Sequence, residues 1–207
     1  MEKHPAISLM EFSSIAGGIL AVDRILKRAP IAVLKCGTVH PGRYLVLVGG
    51  TVASVEEAWI EGCRGDGIHD DVFLPDPHPD LLSALTETPV VEKSDSMAVL
   101  ETSTSAALLR SVDAVLKAVP IRLAVLRLAD DLGGNGLAIV TGGLTELQTA
   151  LEIAPSHAGP QERLLAGTLM PRIEDELLEV IAEGTRFQSC RIHEPAGAEV
   201  LPQETGE

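Results

Sequence analysis

Residues 10–30 read MEFSSIAGGILAVDRILKRAP, and residues 100–120 read LETSTSAALLRSVDAVLKAVP. At a constant offset of 90, Glu11 matches Glu101, Ser13 matches Ser103 and Ala16 matches Ala106. Val22, Asp23, Leu26, Lys27, Pro30 and Ile31 match Val112, Asp113, Leu116, Lys117, Pro120 and Ile121. Further on the register shifts by three, and Gly49-Gly50 matches Gly142-Gly143. The shift falls between two strand-like runs, so the second copy has a longer or differently shaped loop there, where insertions belong. Self-similarity at a fixed offset marks an internal repeat. The chain therefore reads as two homologous domains, 5–90 and 95–185, each near the common domain size.

Each copy gives the same order of elements. A short apolar run (Ile7 to Glu11; Met97 to Glu101) reads as a strand. An amphipathic helix follows: Ile15, Ile19, Val22 and Leu26 recur at helical spacing in one copy, and Leu109, Val112 and Leu116 in the other. Pro30 and Pro120 end these helices. Two strands come next, Ile31–Val39 with Tyr44–Val48, and Ile121–Ala129 with Leu137–Thr141. Their turns hold Pro41-Gly42 and Gly133-Gly134-Asn135-Gly136. A second helix (Val52–Glu61; Thr145–Ile153), a strand (Asp71–Leu74; Leu164–Met170) and a short helix (Pro79–Thr86; Glu174–Ile181) complete each copy. The order β-α-β-β-α-β-α is close to the ferredoxin-like split arrangement, an α+β fold with an antiparallel sheet and helices on one face. Residues Val91–Ser96 are polar and read as the linker, and 186–207 as a Pro-, Gly- and Glu-rich disordered tail.

Composition narrows the function. Hydrophobic residues make up 45% of the 207, but aromatics only 2%, so the cores are built from Ala, Val, Leu and Ile. The net charge of −14 argues against nucleic acid and against an anionic membrane surface. No stretch approaches the length of a membrane span, and the N-terminus lacks a signal peptide, which points to the cytosol. Cys36, Cys63 and Cys190 are odd in number and far apart, so a disulfide framework is not expected. No phosphate loop, nucleophile elbow or paired zinc motif is present, which argues against an enzyme.

Several segments in order resemble one family. MEFSSIAGGILAVDRILKRAPIAVLKCGTVHPGRYLVLVGGTVASVEEA and VLETSTSAALLRSVDAVLKAVPIRLAVLRLADDLGGNGLAIVTGG are both similar to the bacterial microcompartment domain. They share Glu-x-x-Ser-x-x-Ala, Asp-x-x-Leu-Lys and a strand ending in Gly-Gly. A Pro-containing segment follows, Leu74-Pro75-Asp76-Pro77-His78 in one copy and Met170-Pro171-Arg172-Ile173 in the other. The family often carries Pro-Arg-Pro-His there, so each copy keeps part of the pattern. The tandem, unpermuted order resembles the trimeric shell proteins of the propanediol-utilisation type. The resemblance implies a homotrimeric, pseudohexameric tile in a shell within the bacterial cytoplasm. It also implies other shell proteins as partners, and a central pore for small polar metabolites.

The resemblance assigns residues to these roles. Lys27 and Lys117 fall on the tile edge, where a long aliphatic stem lies along the contact; a simpler reading is a lysine favoured at a helix C-terminus. Arg172 is a further edge candidate, although Asp76 stands at its place in the first copy. His40, Pro41 and Gly42, with Gly133, Gly134 and Asn135, line the pore; turn chemistry alone also explains such glycines. Some similar trimers hold an iron–sulfur cluster on a cysteine just before the Pro-Gly. This chain has His40 there, so the implied alternative is a metal bound by three imidazoles, with electrons passed across the shell. Cys36, four residues earlier, reads as a buried structural thiol. His69, Asp70 and Asp71, with Asp76 and His78, look like a metal cluster but match no ligand spacing, and read as a loop with capping and turn roles. Asp130-Asp131 read as a negative pore rim or as turn flanks.

Overall fold

The structure, a computed structural model, describes residues 6–87, 91–160, 163–186, 188 and 190–192. Domain 1 runs β1 (Ala6–Phe12), α1 (Ile15–Arg28), β2 (Val33–Val39), β3 (Arg43–Gly50), α2 (Val52–Cys63), β4 (Ile68–Leu74) and α3 (Pro79–Thr86). Domain 2 repeats the order as β5 (Met97–Thr102), α4 (Ser105–Ala118), β6 (Arg122–Leu128), β7 (Gly136–Thr141), α5 (Leu144–His157), β8 (Leu164–Met170) and α6 (Asp175–Glu183). Each domain is a four-stranded antiparallel sheet, ordered β2-β3-β1-β4 and β6-β7-β5-β8. The α+β reading and the duplicated order hold.

The ladders refine the alignment of the copies. Ile7 faces Gly49 across one pair, and Met97 faces Thr141 across the equivalent pair. The later offset is therefore 92, one less than the Gly-Gly match gives. Gly143 stands where Thr51 stands, each as the N-cap residue of the following helix. The extra residues lie between β6 and β7, as the shift requires. β4 begins at Ile68, earlier than the apolar pattern shows, so His69, Asp70 and Asp71 are strand residues and not a loop. β6 also carries an irregularity between Leu123 and Val125 that β2 lacks.

The first helix of each domain starts at a side-chain cap that satisfies an orphan N–H group. Ser14 Oγ accepts from Gly17 N at 3.2 Å, and Thr104 Oγ1 from Ala107 N at 3.2 Å. In domain 1, α1 and α2 cover one sheet face through Met10, Phe12, Ala21, Ile25, Val46, Val48, Val55 and Ala58. Small residues permit the close approach: a Cβ on Gly18 would stand 2.5 Å from the Tyr44 ring.

A second core spans both domains. Leu9, Leu45, Val72 and Leu81 of domain 1 join Leu109, Val112, Leu116, Ile121 and Leu123 of domain 2. Helix α4 packs against β4 and β1, and α3 against β6. The segment read as a linker is also tied down. Ser96 Oγ donates to Pro171 O at 2.9 Å, Ile173 N donates to Asp95 O at 3.0 Å, and Lys93 pairs with Asp175 at 2.8 Å. The expected tail lies mostly outside the described residues; within it, Arg191 pairs with Glu183 at 2.5 Å.

The two first helices differ in what covers them. Leu109, Val112 and Leu116 are buried, whereas Ile19 and Leu26 at the equivalent places on α1 are exposed. Truncating Leu109 to Ala leaves a cavity in the shared core, with an expected loss of about 2–5 kcal/mol. Urea unfolding followed by circular dichroism at fixed protein concentration checks this.

Candidate functional site

Two regions carry the residues singled out by sequence: the pair of β-turns at one end of the sheets, and the seam where domain 1 meets domain 2. The turn after β2 is short. Gly42 N donates to Val39 O at 3.0 Å, and Gly42 adopts φ +89°. His40, Pro41 and Gly42 are exposed. The turn after β6 is longer and more contorted. Ala129, Asp131, Gly133 and Gly134 all have positive φ, and Leu132 N donates to Ala129 O at 3.1 Å. Left-handed backbone at the non-glycine residues Ala129 and Asp131 carries strain that concentrates at functional loops.

The structure brings the two turns together. A Cβ on Gly134 would stand 3.0 Å from Arg43 Nη1 and 3.2 Å from Pro41 Cδ. Gly134 is buried by this contact, Asn135 is half-buried, and Gly133 is exposed. Gly133 and Gly42 have open space where a side chain would stand. Asp130 and Asp131 are both exposed beside them. Asp131 pairs with Arg186 at 3.4 Å, and Asp130 O accepts from Arg127 at 3.0 Å.

Cys36 is not the buried thiol that its place on a strand implies. It is exposed on β2, accepts from the Tyr44 hydroxyl at 3.4 Å, and lines a cavity of about 300 Å³ with Lys35, Thr38, Leu85 and Arg127. Cys63 is different: burial, then the Asp71 charge, push its thiol up to about 12, which keeps it protonated at neutral pH. Among the described residues of one chain, no three His, Cys, Asp or Glu side chains are grouped to hold a metal.

The seam is built on two adjacent carboxylates. Glu11 and Asp70 are directly opposed across the β1–β4 ladder, which puts both side chains on one face. Glu11 reaches the N-terminus of α4, where its Oε1 accepts from Ala106 N at 2.8 Å. A helix N-terminus favours a negative charge. Asp70 accepts from both Arg110 and Thr104, at 3.1 Å and 2.5 Å, and Arg163 stands 3.8 Å away. Arg163 also donates to His69 O at 2.9 Å and to His69 Nε2 at 3.3 Å. Burial, then the Arg43 and Arg163 guanidiniums, hold His69 below the usual imidazole range. Asp71 accepts from Trp59 Nε1 at 2.7 Å. Sequence missed this cluster because its partners lie far along the chain, 94 residues away for His69 and Arg163.

His78 has the capping role read for it: its Nδ1 accepts from Asp80 N at 3.2 Å at the start of α3. Its own backbone N–H crosses the seam to Asp113 Oδ1 at 2.7 Å. The other oxygen of Asp113 holds Lys117 at 2.6 Å, and Asp23 holds Lys27 at 2.6 Å in the same i, i+4 geometry. Both lysines sit in the last turn of their helices. Arg172 and Asp76 are exposed at equivalent positions after β8 and β4.

The fold defines a tandem α+β protein, in which the first helix of the second copy docks on the sheet edge of the first. Known proteins name the family. Residues 6–77 and 96–173 each match the BMC domain. The chain is 30% identical over 181 residues to the bacterial microcompartment shell protein PduT of Citrobacter freundii, covering 86% of this chain and 98% of that one. It is 26% identical to the carboxysome assembly protein CcmO of a Synechocystis strain, covering 86% of this chain and 64% of that one. A crystal structure of a microcompartment protein from Desulfitobacterium hafniense DCB superposes with a TM-score of 0.73 at 29% identity, covering 84% of this chain and 98% of that one. The chain belongs to the BMC domain family, carries the domain twice, and is a tandem-domain microcompartment shell protein, a structural protein.

The seam yields a pH dependence of stability. Burial, opposed by the Ala106 hydrogen bond, raises Glu11 from 4.5 to about 7. The folded protein therefore binds a proton more tightly than the unfolded chain, and between about pH 4.5 and 7 it holds the larger number of protons. Stability from this group is complete below that window and falls as pH rises through it, by up to about 3 kcal/mol. Glu11→Gln is expected to flatten that part of the profile, read as unfolding midpoints from pH 4.5 to 8.

Proposed function

We propose that the protein works as a homotrimeric, pseudohexameric tile of a bacterial microcompartment shell in the cytoplasm, with a central pore that passes small polar metabolites. The observation that supports this best is the mutual packing of the two β-turns. Gly134 lies against Pro41 and Arg43, so each chain offers both turns at one place, with exposed His40, Gly42 and Gly133 among them. Three chains around an axis bring three copies of each turn to the centre. Closed rings arise when a head-to-tail interface repeats with a rotation that closes. The seam inside the chain is of that head-to-tail kind, because α4 of domain 2 meets β4 of domain 1.

In this reading the pore selects by width, backbone donors and charge. His40 adds one imidazole per chain, and Asp130 and Asp131 add carboxylates beside it. A metal at the axis is the narrower reading: each chain supplies His40 alone, so three imidazoles from three chains form the whole ligand set. Cys36 is engaged with Tyr44 on the strand and stands apart from that set. Lys27, Lys117 and Arg172 serve the tile edge, where other shell proteins meet it.

Light scattering on the purified protein is expected to give three times the chain mass of 21.8 kDa. A monomer leaves no central pore and overturns the tile. Lys27→Ala with Lys117→Ala is expected to keep that mass and to abolish extended sheets in electron micrographs; normal sheets remove the edge assignment. Equilibration with Zn²⁺ followed by elemental analysis separates the two readings: a metal-free trimer is expected for the metabolite pore, whereas one metal per trimer, lost in His40→Ala, is what the metal reading requires.

A further inference from the structure

Glu11 and the turn after β6 are joined by one side chain. Arg43 opens β3, and Leu45, two residues on, is paired with Glu11 across the β1–β3 ladder. Arg43 and Glu11 therefore share a face of the sheet. The two oxygens of Glu11 have different surroundings. Oε1 accepts from Ala106 N, whereas Oε2 is buried and accepts no hydrogen bond among the described residues. Arg43 Nη1 stands 3.5 Å from that Oε2. The same Nη1 lies 3.5 Å from Ser103 O, and a Cβ on Gly134 would meet it at 3.0 Å. The guanidinium is thus packed between a buried carboxyl and the backbone of the β6–β7 turn, with 21% of the Arg43 side chain exposed.

The other charged groups around Glu11 are engaged elsewhere. Asp70 of β4 lies opposite it and meets Arg110 and Thr104 of domain 2, with Arg163 on its far side. Arg163 also holds His69 of β4. The N-terminus of α4 presents the Ala106 and Ser105 N–H groups. Among the described residues, the cation paired with Glu11 is Arg43. Burial raises the Glu11 carboxyl to about 7, opposed by the Ala106 N–H and Arg43 and aided by Asp70. Both protonation states are therefore populated near neutral pH.

We infer that Arg43 is a positioning residue for the β6–β7 turn, and that a proton on Glu11 releases it. With Glu11 ionised, Oε2 is an anion facing Arg43, and the guanidinium is held between it and Gly134. With Glu11 protonated, Oε1 keeps its bond from Ala106 N and the proton sits on Oε2. An O–H there offers Arg43 a donor in place of a charged acceptor. The partly exposed side chain is then free to swing to solvent, and the turn loses the surface on which Gly134 rests. The link is reciprocal: whatever holds Arg43 on the turn favours ionised Glu11 by the same factor. That the turns line a pore rests on the reading above, whereas the coupling lies within one chain.

Hydrogen–deuterium exchange of the turn tests it, on the full chain from about pH 5.5 to 8.5 with intrinsic rates divided out. The reporters are the Ala129, Leu132 and Asn135 amides, which donate within the turn. In the wild type their protection is expected to rise about fivefold or more across this range, as coupled sites do. The Glu11 contribution to global stability falls over the same range, so exchange through whole-chain unfolding has the opposite sign. Glu11→Gln carries no charge at any pH and is expected to give low, flat protection. Arg43→Gln is expected to do the same, whereas Arg43→Lys keeps a cation and recovers part of the rise. Circular dichroism confirms that each variant is folded. A flat or falling wild-type profile, or a rise that survives in Glu11→Gln or Arg43→Gln, overturns the coupling. Light scattering on the same samples reads the ring separately: a monomer overturns the pore, and the exchange profile still decides the coupling.

Discussion

One contact organises this protein: the docking of α4 on the β1–β4 edge of domain 1. A four-stranded sheet with two helices on one face leaves its edge strand and opposite face uncovered, and an uncovered edge is a liability. Here the remedy is the first helix of the next domain. Leu9, Leu45, Val72 and Leu81 reach burial only in company with Leu109, Val112 and Leu116. The polar part of the contact follows from the same placement. Glu11 is buried because α4 lies over it; the helix N-terminus offsets part of the cost of that burial, which still pushes the carboxyl up to about 7. Asp70 is tolerated because Arg110, Arg163 and Thr104 surround it.

The placement of the turns depends on this contact in turn. With α4 seated, the β2–β3 and β6–β7 turns fall against each other, and Gly134 fills the space left by Arg43 and Pro41. The lack of a Cβ at Gly134 therefore serves packing between turns, whereas at Gly42 and Gly133 it leaves open space. Asp113 ties the far end by joining the His78 backbone to Lys117. The lysine read as an edge residue is thus also the neighbour of a seam contact, and the helix-end and edge readings describe one position.

Much of this was legible in the sequence because the repeat is legible. Matching Glu11, Asp23, Lys27 and Pro30 with Glu101, Asp113, Lys117 and Pro120 gave the duplication, and hydrophobic spacing gave nearly every element. The misses have local causes. Identity aligns Gly-Gly with Gly-Gly, while the backbone aligns Thr51 with Gly143 by their shared role as N-caps. Read from sequence, β4 begins late, at Asp71, because His69 and Asp70 are polar and their partners Arg163 and Arg110 belong to the other domain. Cys36 reads as buried from sequence because strand spacing does not say which face a neighbour covers. The stripe of Ile15, Ile19, Val22 and Leu26 marks the helix, but periodicity does not name the surface that an apolar face meets.

The short tether between the domains has a consequence for mass action. The segment 91–96 is held by Pro171, Ile173 and Asp175, so α4 meets β4 at the high effective concentration of an intramolecular contact. In any ring of such chains, every second joint is closed before chains meet. Ring formation then depends on concentration to the power of the number of chains, half the power that separate domains would require. Tandem duplication thereby lowers the reaction order of assembly, and rings persist at dilutions where single-domain copies would disperse.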